Sequence, residues 1–333
     1  MFTPAQLLEM AAPSQASAPS LFDAQPALLV QGAPDALCTN ADECAAVADW
    51  LLRQPCPVIA IGDTSDDPWR EIYDVVVDDL AAAAPLLANI KRAPLTAAVL
   101  VQTLRITAGL PVAAALTVES LAYATLQGGR EFKGWSAAHP PKSAHGVVFD
   151  EAAVLLDRHG ECIDIRLNRP ERRNAMSVEM RDALAEALQL LIADNSITRA
   201  RISGIGDCFS SGGDLDEFGT LPDSASAHII RSLRLPSAQL ARCSPRVECH
   251  VHGACIGSGV ELSAFAGRVV AARKTFFQLP EIRFGLIPGA GGCVSIPRRI
   301  GRQRTAWLAL STKRINAATA LEWGLVDEVL AST

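Results

Sequence analysis

Short apolar runs alternate with one helical pattern at the start of the chain. The runs at 27–30, 57–61 and 73–77 are rich in Val, Ile and Leu, which is typical of short buried strands. An Ala-rich stretch at about 41–53 has the spacing of a helix. This alternation predicts a small α/β unit with a parallel sheet. The residues before it, 1–24, are rich in Ala, Ser, Pro and Gln and predict a flexible arm, either a short helix or a mobile tail.

Helical patterning then dominates. Apolar and Ala residues recur at helical spacing over about 79–91, 94–108 and 116–127. We therefore predict an accessory region over 25–135 that combines the small α/β unit with these helices. The next residues, 136–146, contain Pro-Pro, Ser and Gly and predict a linker.

The last part of the chain, 147–333, reads as a second and larger unit. Alternating residues at 153–156 and 162–167 predict a hairpin around the Arg158-His159-Gly160 turn. Ser177 is suited to cap a helix that continues to about 192. Strands and helices alternate after it, beginning with a strand at 200–205, so the unit is of the α/β class.

The densest candidate chemistry lies within 251–292. A small-residue loop around Gly257 leads into a predicted helix that carries Glu261 in its first turn. A helix start leaves backbone N–H groups without partners, so such a loop can hold an anionic oxygen. A second acid, Glu281, stands before another glycine-dense turn at 285–292. Two glutamates beside loops of this kind indicate acid/base chemistry next to an anion hole.

These residues, with two further stretches, resemble the crotonase (enoyl-CoA hydratase/isomerase) superfamily. Four motifs occur in the order that the family has them, which makes the resemblance specific over 146–330 and loose before that. The motifs are Leu167-Asn168-Arg169-Pro170-Glu171 with Asn174-Ala175, Phe209-Ser210-Ser211-Gly212-Gly213-Asp214-Leu215, Gly257-x-Gly259-x-Glu261, and Pro280-Glu281 with Gly285-x-Ile287-Pro288-Gly289-x-Gly291-Gly292.

The resemblance implies an α/β fold with a spiral core of ββα repeats. It also implies an oxyanion hole made by the backbone N–H groups of Gly213 and Ser258. The family often has alanine where Gly213 stands and usually glycine where Ser258 stands, and both changes keep the N–H. In hydratases of the family the base and the acid are two glutamates, which correspond to Glu261 and Glu281, 20 residues apart.

The resemblance also implies a binding site for a CoA thioester. No metal or redox cofactor is implied, because the acyl-CoA is the substrate. Asp214 is expected to fix its loop, and any single arginine near the CoA is more commonly a solvated surface charge than a specific contact. The residues predicted to bind the substrate or CoA are Asn168, Arg169, Arg172, Ala175, Ser211, Gly212, Asp214, Leu215, Gly257 and Gly289.

The helical part of the accessory region resembles the tail that family members carry after the core. One interpretation is a permuted arrangement, in which trimerising helices come from the N-terminal side. The alternative is an accessory domain that merely has Ala- and Leu-rich helices. By resemblance we expect a homotrimer or a dimer of trimers.

Composition narrows the partners and the location. The net charge of −6 gives no reason to expect a nucleic acid partner, and no apolar stretch has the length of a membrane span. The start of the chain lacks the pattern of a secretory signal. Nine cysteines without a CxxC pair favour buried thiols in a reducing cytoplasm over a disulfide framework or a zinc site.

The function predicted from these observations is syn hydration of a trans-2-enoyl-CoA to a 3-hydroxyacyl-CoA. Retention of both glutamates favours hydratase over the other reactions of the family. An enoyl-CoA isomerase or an acyl-CoA hydrolase would share the oxyanion hole and use the acids differently. A third alternative is a non-catalytic assembly partner, which the unusual N-terminal half suggests.

Overall fold

The computed structural model describes residues 1–11, 26–32, 41–140 and 150–331. These residues form a small N-terminal α/β unit, a layer of helices and a larger core built on two sheets. The mixture of parallel sheets and helices confirms the predicted α/β class.

The N-terminal unit is built on a three-stranded parallel sheet in the order β1-β2-β3. Its apolar core includes the buried Leu7, Trp50 and Tyr73. The first part of the arm predicted over 1–24 forms a short helix, one of the two predicted alternatives, and its Leu7 is fully buried, whereas residues 12–24 lie outside the described ranges. The elements are α1 (Pro4–Ala11), β1 (Leu28–Gln31), α2 (Ala41–Leu52), β2 (Val58–Ile61) and β3 (Val75–Val77).

The helical layer has four members, of which the sequence predicted three. The Asp79 side chain caps the first helix, and Pro94 begins the second, where its missing N–H has no partner to lose. The fourth helix overlaps the predicted linker, so residues 136–138 are helical, and residues 141–146 of that linker are not described. The helices are α3 (Leu80–Arg92), α4 (Pro94–Thr107), α5 (Val112–Gln127) and α6 (Arg130–Ala138).

The core consists of a six-stranded sheet in the order β12-β9-β7-β6-β5-β4 and a three-stranded sheet in the order β11-β10-β8. In the larger sheet only the predicted hairpin of β4 and β5 is antiparallel. The strands of two consecutive pairs, β7 with β8 and β9 with β10, lie one in the larger and one in the smaller sheet, and each pair is followed by a helix, as in a spiral of ββα repeats. The strands are β4 (Val154–His159), β5 (Cys162–Leu167), β6 (Arg199–Gly204), β7 (Val247–Val251), β8 (Ala254–Ile256), β9 (Arg268–Ala272), β10 (Phe276–Gln278), β11 (Ile315–Asn316) and β12 (Glu328–Leu330).

Helices cover the core on several sides. Ser177 caps the first of them through the N–H of Met180, as predicted. The helices are α7 (Val178–Ala193), α8 (Ser224–Arg234), α9 (Ser237–Cys243), α10 (Ser258–Ser263), α11 (Gly292–Ile300), α12 (Arg302–Ser311) and α13 (Ala317–Trp323).

Buried polar contacts join the N-terminal half to the core. Asp74, whose side chain is 1% exposed, forms ion pairs with Arg105 of α4 at 2.5 Å and with Arg302 of α12 at 2.7 Å. Asn89 of α3 donates hydrogen bonds to the carbonyl oxygens of Leu310 and Ser311. The helical layer is therefore packed into the core by contacts between residues far apart in the chain.

The described residues also show whether a helix could span a membrane and which cysteines are free. Among the described residues no helix is long and apolar enough to cross a membrane. Seven cysteines are free thiols, and six of these are buried. Cys44 takes part in a disulfide, so the expectation of thiols alone is wrong at this position.

Candidate active site

Glu261 is held by backbone N–H groups from a loop that follows it by almost 30 residues. The turn from β8 into α10 passes through Gly257, whose φ of +51° is in a region that glycine adopts without strain. This turn places Glu261 in the first turn of α10, where it is 2% exposed. One carboxylate oxygen accepts from Ala290 N at 2.6 Å and from Gly292 N at 2.9 Å. The acid is therefore fixed in position by the start of α11.

Glu281 is placed beside the same turn by the end of β10. Gly257 N donates to the carbonyl oxygen of Gln278 at 2.9 Å, which ties the turn to that strand. A Cβ on Gly257 would lie 2.7 Å from Glu281 Oε1, so only glycine leaves room for the carboxyl group. The other oxygen, Oε2, is buried and has no hydrogen-bond partner in the described part of the chain. This oxygen is available to hold a proton.

The two acids titrate above their usual range. Burial raises the pKa of Glu261 to about 7, against the opposing effect of its two N–H donors. Burial also raises the pKa of Glu281, and the charge of Glu261 raises it further. Because like charges repel where burial weakens solvent screening, the site favours a protonated Glu281 next to a charged Glu261. Such a pair can take up a proton at one oxygen and release one at another.

Two backbone N–H groups converge on the same cavity. In the described residues neither Gly213 N nor Ser258 N has a hydrogen-bond partner, and Ser258 is the first residue of α10. Both residues line the cavity that Glu261 and Glu281 also line. A Cβ on Gly213 would lie 2.8 Å from the ring of Phe218, so a larger residue there requires the ring or the loop to shift. The oxyanion hole at these two residues stays a prediction.

The cavity has a volume of about 1010 Å³ and includes most of the predicted binding residues. Arg181 and Phe284 also line the cavity, and neither lies in one of the sequence motifs. The predicted residues in its wall are Ser211, Gly212, Asp214, Leu215, Gly257 and Gly289.

Four other predicted binding residues lie outside that wall. Arg169 is 3% exposed and its guanidinium bonds to Glu179 and to the carbonyl oxygens of Asn168 and Glu151. Asn168 is buried against Glu151 and Ala152 O. Both side chains are engaged outside the cavity, Arg169 by Glu179 of α7 and both by the segment before β4, and their binding of CoA stays a prediction.

Arg172 and Ala175 occupy the outer part of the same loop. Arg172 lies 3.3 Å from Asp214 and 3.6 Å from Asp216, so it neutralises the acidic loop rather than presenting a free guanidinium. Asp214 also accepts from Asp216 N, which agrees with its predicted role of fixing the loop. Ala175 N donates to Arg172 O and closes a turn.

The helical layer supplies residues that the motifs did not indicate. Tyr123 of α5 lines the cavity and packs so closely on Gly289 that a Cβ there would lie 2.1 Å from its ring. Arg231 of α8 lies over the Tyr123 ring, 4.5 Å from its centre, and donates to Gln127 and Ser120. Glu119, also of α5, is 1% exposed and lies beside Glu261. One available signal was that Glu119 is the only charged residue in α5.

No metal centre accompanies these acids. Among the described residues no group of three or more His, Cys, Asp or Glu side chains has an arrangement that could hold a metal ion.

Comparison with known proteins identifies the family. The model of the enoyl-CoA hydratase/isomerase family matches residues 157–333. Among curated proteins, the chain is 36% identical over 179 residues to the 1,2-epoxyphenylacetyl-CoA isomerase of Escherichia coli (strain K12), covering 51% of this chain and 68% of that protein. It is 31% identical over 179 residues to the 2,3-dehydroadipyl-CoA hydratase of the same organism, covering 54% and 69%.

Solved structures agree with the sequence matches. An enoyl-CoA hydratase/isomerase from Mycobacterium paratuberculosis superposes with a TM-score of 0.50 at 31% identity, covering 55% of this chain and 74% of that one. Pseudomonas aeruginosa DspI superposes with a TM-score of 0.51 at 26% identity, covering 57% and 72%. The chain belongs to the enoyl-CoA hydratase/isomerase family, that is, to the crotonase superfamily that its motifs resemble.

Proposed function

We propose that this protein hydrates a trans-2-enoyl-CoA to a 3-hydroxyacyl-CoA. The observation that carries the proposal is the joint placement of Glu261, Glu281 and two unpaired backbone N–H groups on one cavity. Hydration needs a base for water, an acid for Cα and a stabiliser for the charge on the thioester oxygen, and the cavity offers a group for each.

The roles of the two acids follow from their different surroundings. Glu261 accepts two N–H hydrogen bonds, which favour its charged form, so it takes a proton from the attacking water. Glu281 has a buried oxygen without a partner, which favours its protonated form, so it delivers a proton to Cα. The water oxygen bonds to Cβ, and proton exchange between the two acids restores the starting state with one water consumed.

Charge accumulates on the thioester oxygen when water attacks Cβ. Gly213 N and Ser258 N donate to this oxygen in the proposed complex and stabilise the enolate. A donor of this kind is typically worth roughly 10²–10³ in rate. Acyl-CoA substrates, which the family implies, would enter past the Ser211–Leu215 loop. Assembly as a trimer and a cytoplasmic location remain predictions.

Loss of the conjugated enoyl-thioester absorbance tests the proposal directly. We expect purified protein to consume at least one member of a panel with crotonyl-CoA, longer-chain enoyl-CoAs and aryl enoyl-CoAs, and to yield a 3-hydroxyacyl-CoA. A folded protein that binds CoA esters but hydrates none of the panel would refute the proposal.

An enoyl-CoA isomerase is the second candidate, because a relative from Mycosarcoma maydis at 32% identity is named as an enoyl-CoA isomerase/hydratase. Two carboxyl groups that exchange protons can also move a double bond between Cβ–Cγ and Cα–Cβ. Incubation with a 3-enoyl-CoA distinguishes the two functions, since an isomerase produces the conjugated band without adding water. Release of free CoA would instead indicate a hydrolase, and no binding of CoA esters would favour an assembly partner.

Substitution of Gly213 by alanine is expected to lower kcat/KM by about tenfold or more. The new Cβ would lie 2.8 Å from the Phe218 ring, so either the ring or the N–H of residue 213 must move. The control is Gly134→Ala in α6, where a Cβ meets nothing within 4 Å. Equal kcat/KM for the Gly213→Ala variant and wild type would remove this N–H from the proposed oxyanion hole.

A further inference from the structure

The N–H groups at the start of α11 are shared between two carboxylates in strict alternation. Glu261 accepts from residues 290 and 292, whereas Glu119 accepts from Gly291 N and from Cys293 N, each at 2.7 Å. Glu119 uses one oxygen for each of its two bonds. The loop that fixes the proposed base is therefore held on its other side by an acid of α5.

Glu119 does not belong to the segment that identifies the family. It lies on α5, outside the matched residues 157–333. Its side chain is buried, and a buried carboxylate destabilises the fold unless hydrogen bonds or charges compensate for the water it has lost. Glu119 was not one of the residues that the sequence motifs indicated, and the proposed chemistry does not use it directly.

We propose that Glu119 is a positioning residue for the acid/base pair, because it fixes the N–H row that orients Glu261. The proposal rests on the proposed hydratase function for its kinetic consequences. If Glu119 has this role, α5 contributes a residue to the active site and does not only pack against the core.

Glu119 also interacts electrostatically with both site acids. The burial of Glu119 and the neighbouring charge of Glu261 raise the pKa of Glu119, and Glu119 in turn contributes to the raised pKa of Glu281. Arg231 is the nearby cation and opposes this shift. The titratable or charged groups that face Glu119 from α5 and the elements packed against it are Tyr123, Arg231, Glu261, Glu281 and the thiol of Cys293.

Replacement of Glu119 by glutamine separates this role from simple packing. Glutamine keeps the shape, but only one of its two end atoms accepts a hydrogen bond, so one N–H of the row loses its partner. We expect kcat to fall by about 10- to 100-fold with KM within about threefold, because the base is displaced and the binding groups are not. Loss of one titrating neighbour should also shift the pH profile of kcat/KM to lower pH.

A second readout does not require activity. An acid whose pKa is higher in the folded state than in the unfolded state stabilises the fold below its unfolded pKa, and that contribution is lost as pH rises through the folded value. For wild type, the melting temperature should therefore fall between about pH 4.5 and 7, the interval between the usual and the raised pKa of Glu261. Glu119→Gln should make this fall less steep, since one titrating acid is gone.

Two further variants complete the experiment on the full-length chain. Glu119→Asp keeps the charge but is one methylene shorter, so we expect it to lose kcat while retaining the pH dependence of the melting temperature. Glu322→Gln, at an exposed position of α13, is the matched control and should behave as wild type.

The outcomes are distinct. A Glu119→Gln variant with the kcat and pH profile of wild type would overturn the inference. So would a loss of activity that follows only a lower folded fraction, with an unchanged pH profile. If wild type hydrates no enoyl-CoA, the proposed function fails, and the melting temperatures still decide: a flattened pH dependence in Glu119→Gln supports the placement of Glu119 beside the site acids, and an unchanged one refutes it.

Discussion

Glu281→Gln is expected to lower kcat for enoyl-CoA hydration by about 10²–10⁴-fold, the usual contribution of a positioned general acid. The buried Oε2 of Glu281 has no partner in the described residues, and it is the oxygen that we assign to deliver the proton. A glutamine amide fits the same space beside Gly257 but has no acidic proton to give. The measurement is the initial rate of loss of enoyl-thioester absorbance, with saturating substrate.

The substitution should leave the binding of the thioester almost unchanged, because the N–H donors at Gly213 and Ser258 are untouched. We expect Glu261→Gln to cause a loss of similar size, and the double variant to lose little more than either single one, since the acids act as a unit. Glu186→Gln, on the exposed side of α7, is the control. Retention of more than about a tenth of the wild-type kcat in Glu281→Gln would remove Glu281 from the proton transfer.

The largest effect on stability is expected at Asp74, away from the cavity. Removal of one partner from a buried ion pair typically costs about 3–5 kcal/mol, because the remaining charge is left without compensation. Asp74→Ala removes the carboxylate partner of two guanidinium groups at once, those of Arg105 and Arg302, whose side chains are 8% and 15% exposed and keep only hydrogen bonds to backbone carbonyl oxygens. Asp74 also accepts a hydrogen bond from Val58 N at the start of β2, and the substitution removes this bond as well.

Urea unfolding measures this loss as a change in the free energy of unfolding. Asp49→Ala is the control, because Asp49 pairs with Arg53 on the surface, with side chains 61% and 69% exposed. That variant should change the free energy of unfolding by at most about 1 kcal/mol. A loss below about 1 kcal/mol for Asp74→Ala would mean that the cluster does not join the small α/β unit to α4 and α12 as the contacts indicate.

The sequence predicted the parts of the site whose causes are local. Gly257 and Glu261 lie four residues apart, and the same short segment provides both the turn and the acid that the turn positions. Gly213 is recognisable for a similar reason. The glycines of its loop indicate by themselves that a ligand can approach the backbone closely there. The helix beginning after Ser177 also followed from a local cap.

The remaining parts depend on contacts between distant segments. Glu119 lies 172 residues before the Gly291 N–H that it accepts from, and no pattern near it marks that partner. Arg169 is the opposite case, a residue that lies in a motif but outside the cavity wall. Its motif indicated ligand binding, but the side chain is satisfied by Glu179 and loop carbonyls, which only the folded loop brings together. Residues 136–138 have the composition of a linker, and in the structure they form the last turn of α6, whose buried residue is Phe132.

The bonds from Asn89 to Leu310 O and Ser311 O have a consequence for how the molecule is made. They connect residues 221 and 222 positions apart, so α3 leaves the ribosome long before α12 exists. Until then α3 lacks these partners, although the strands β4 to β10 of the core have already been synthesised. Contacts of this separation require closure of a very large loop, which slows folding. We therefore expect the helical layer that carries Glu119 to dock late in folding, so that the active site is assembled only after synthesis has passed α12.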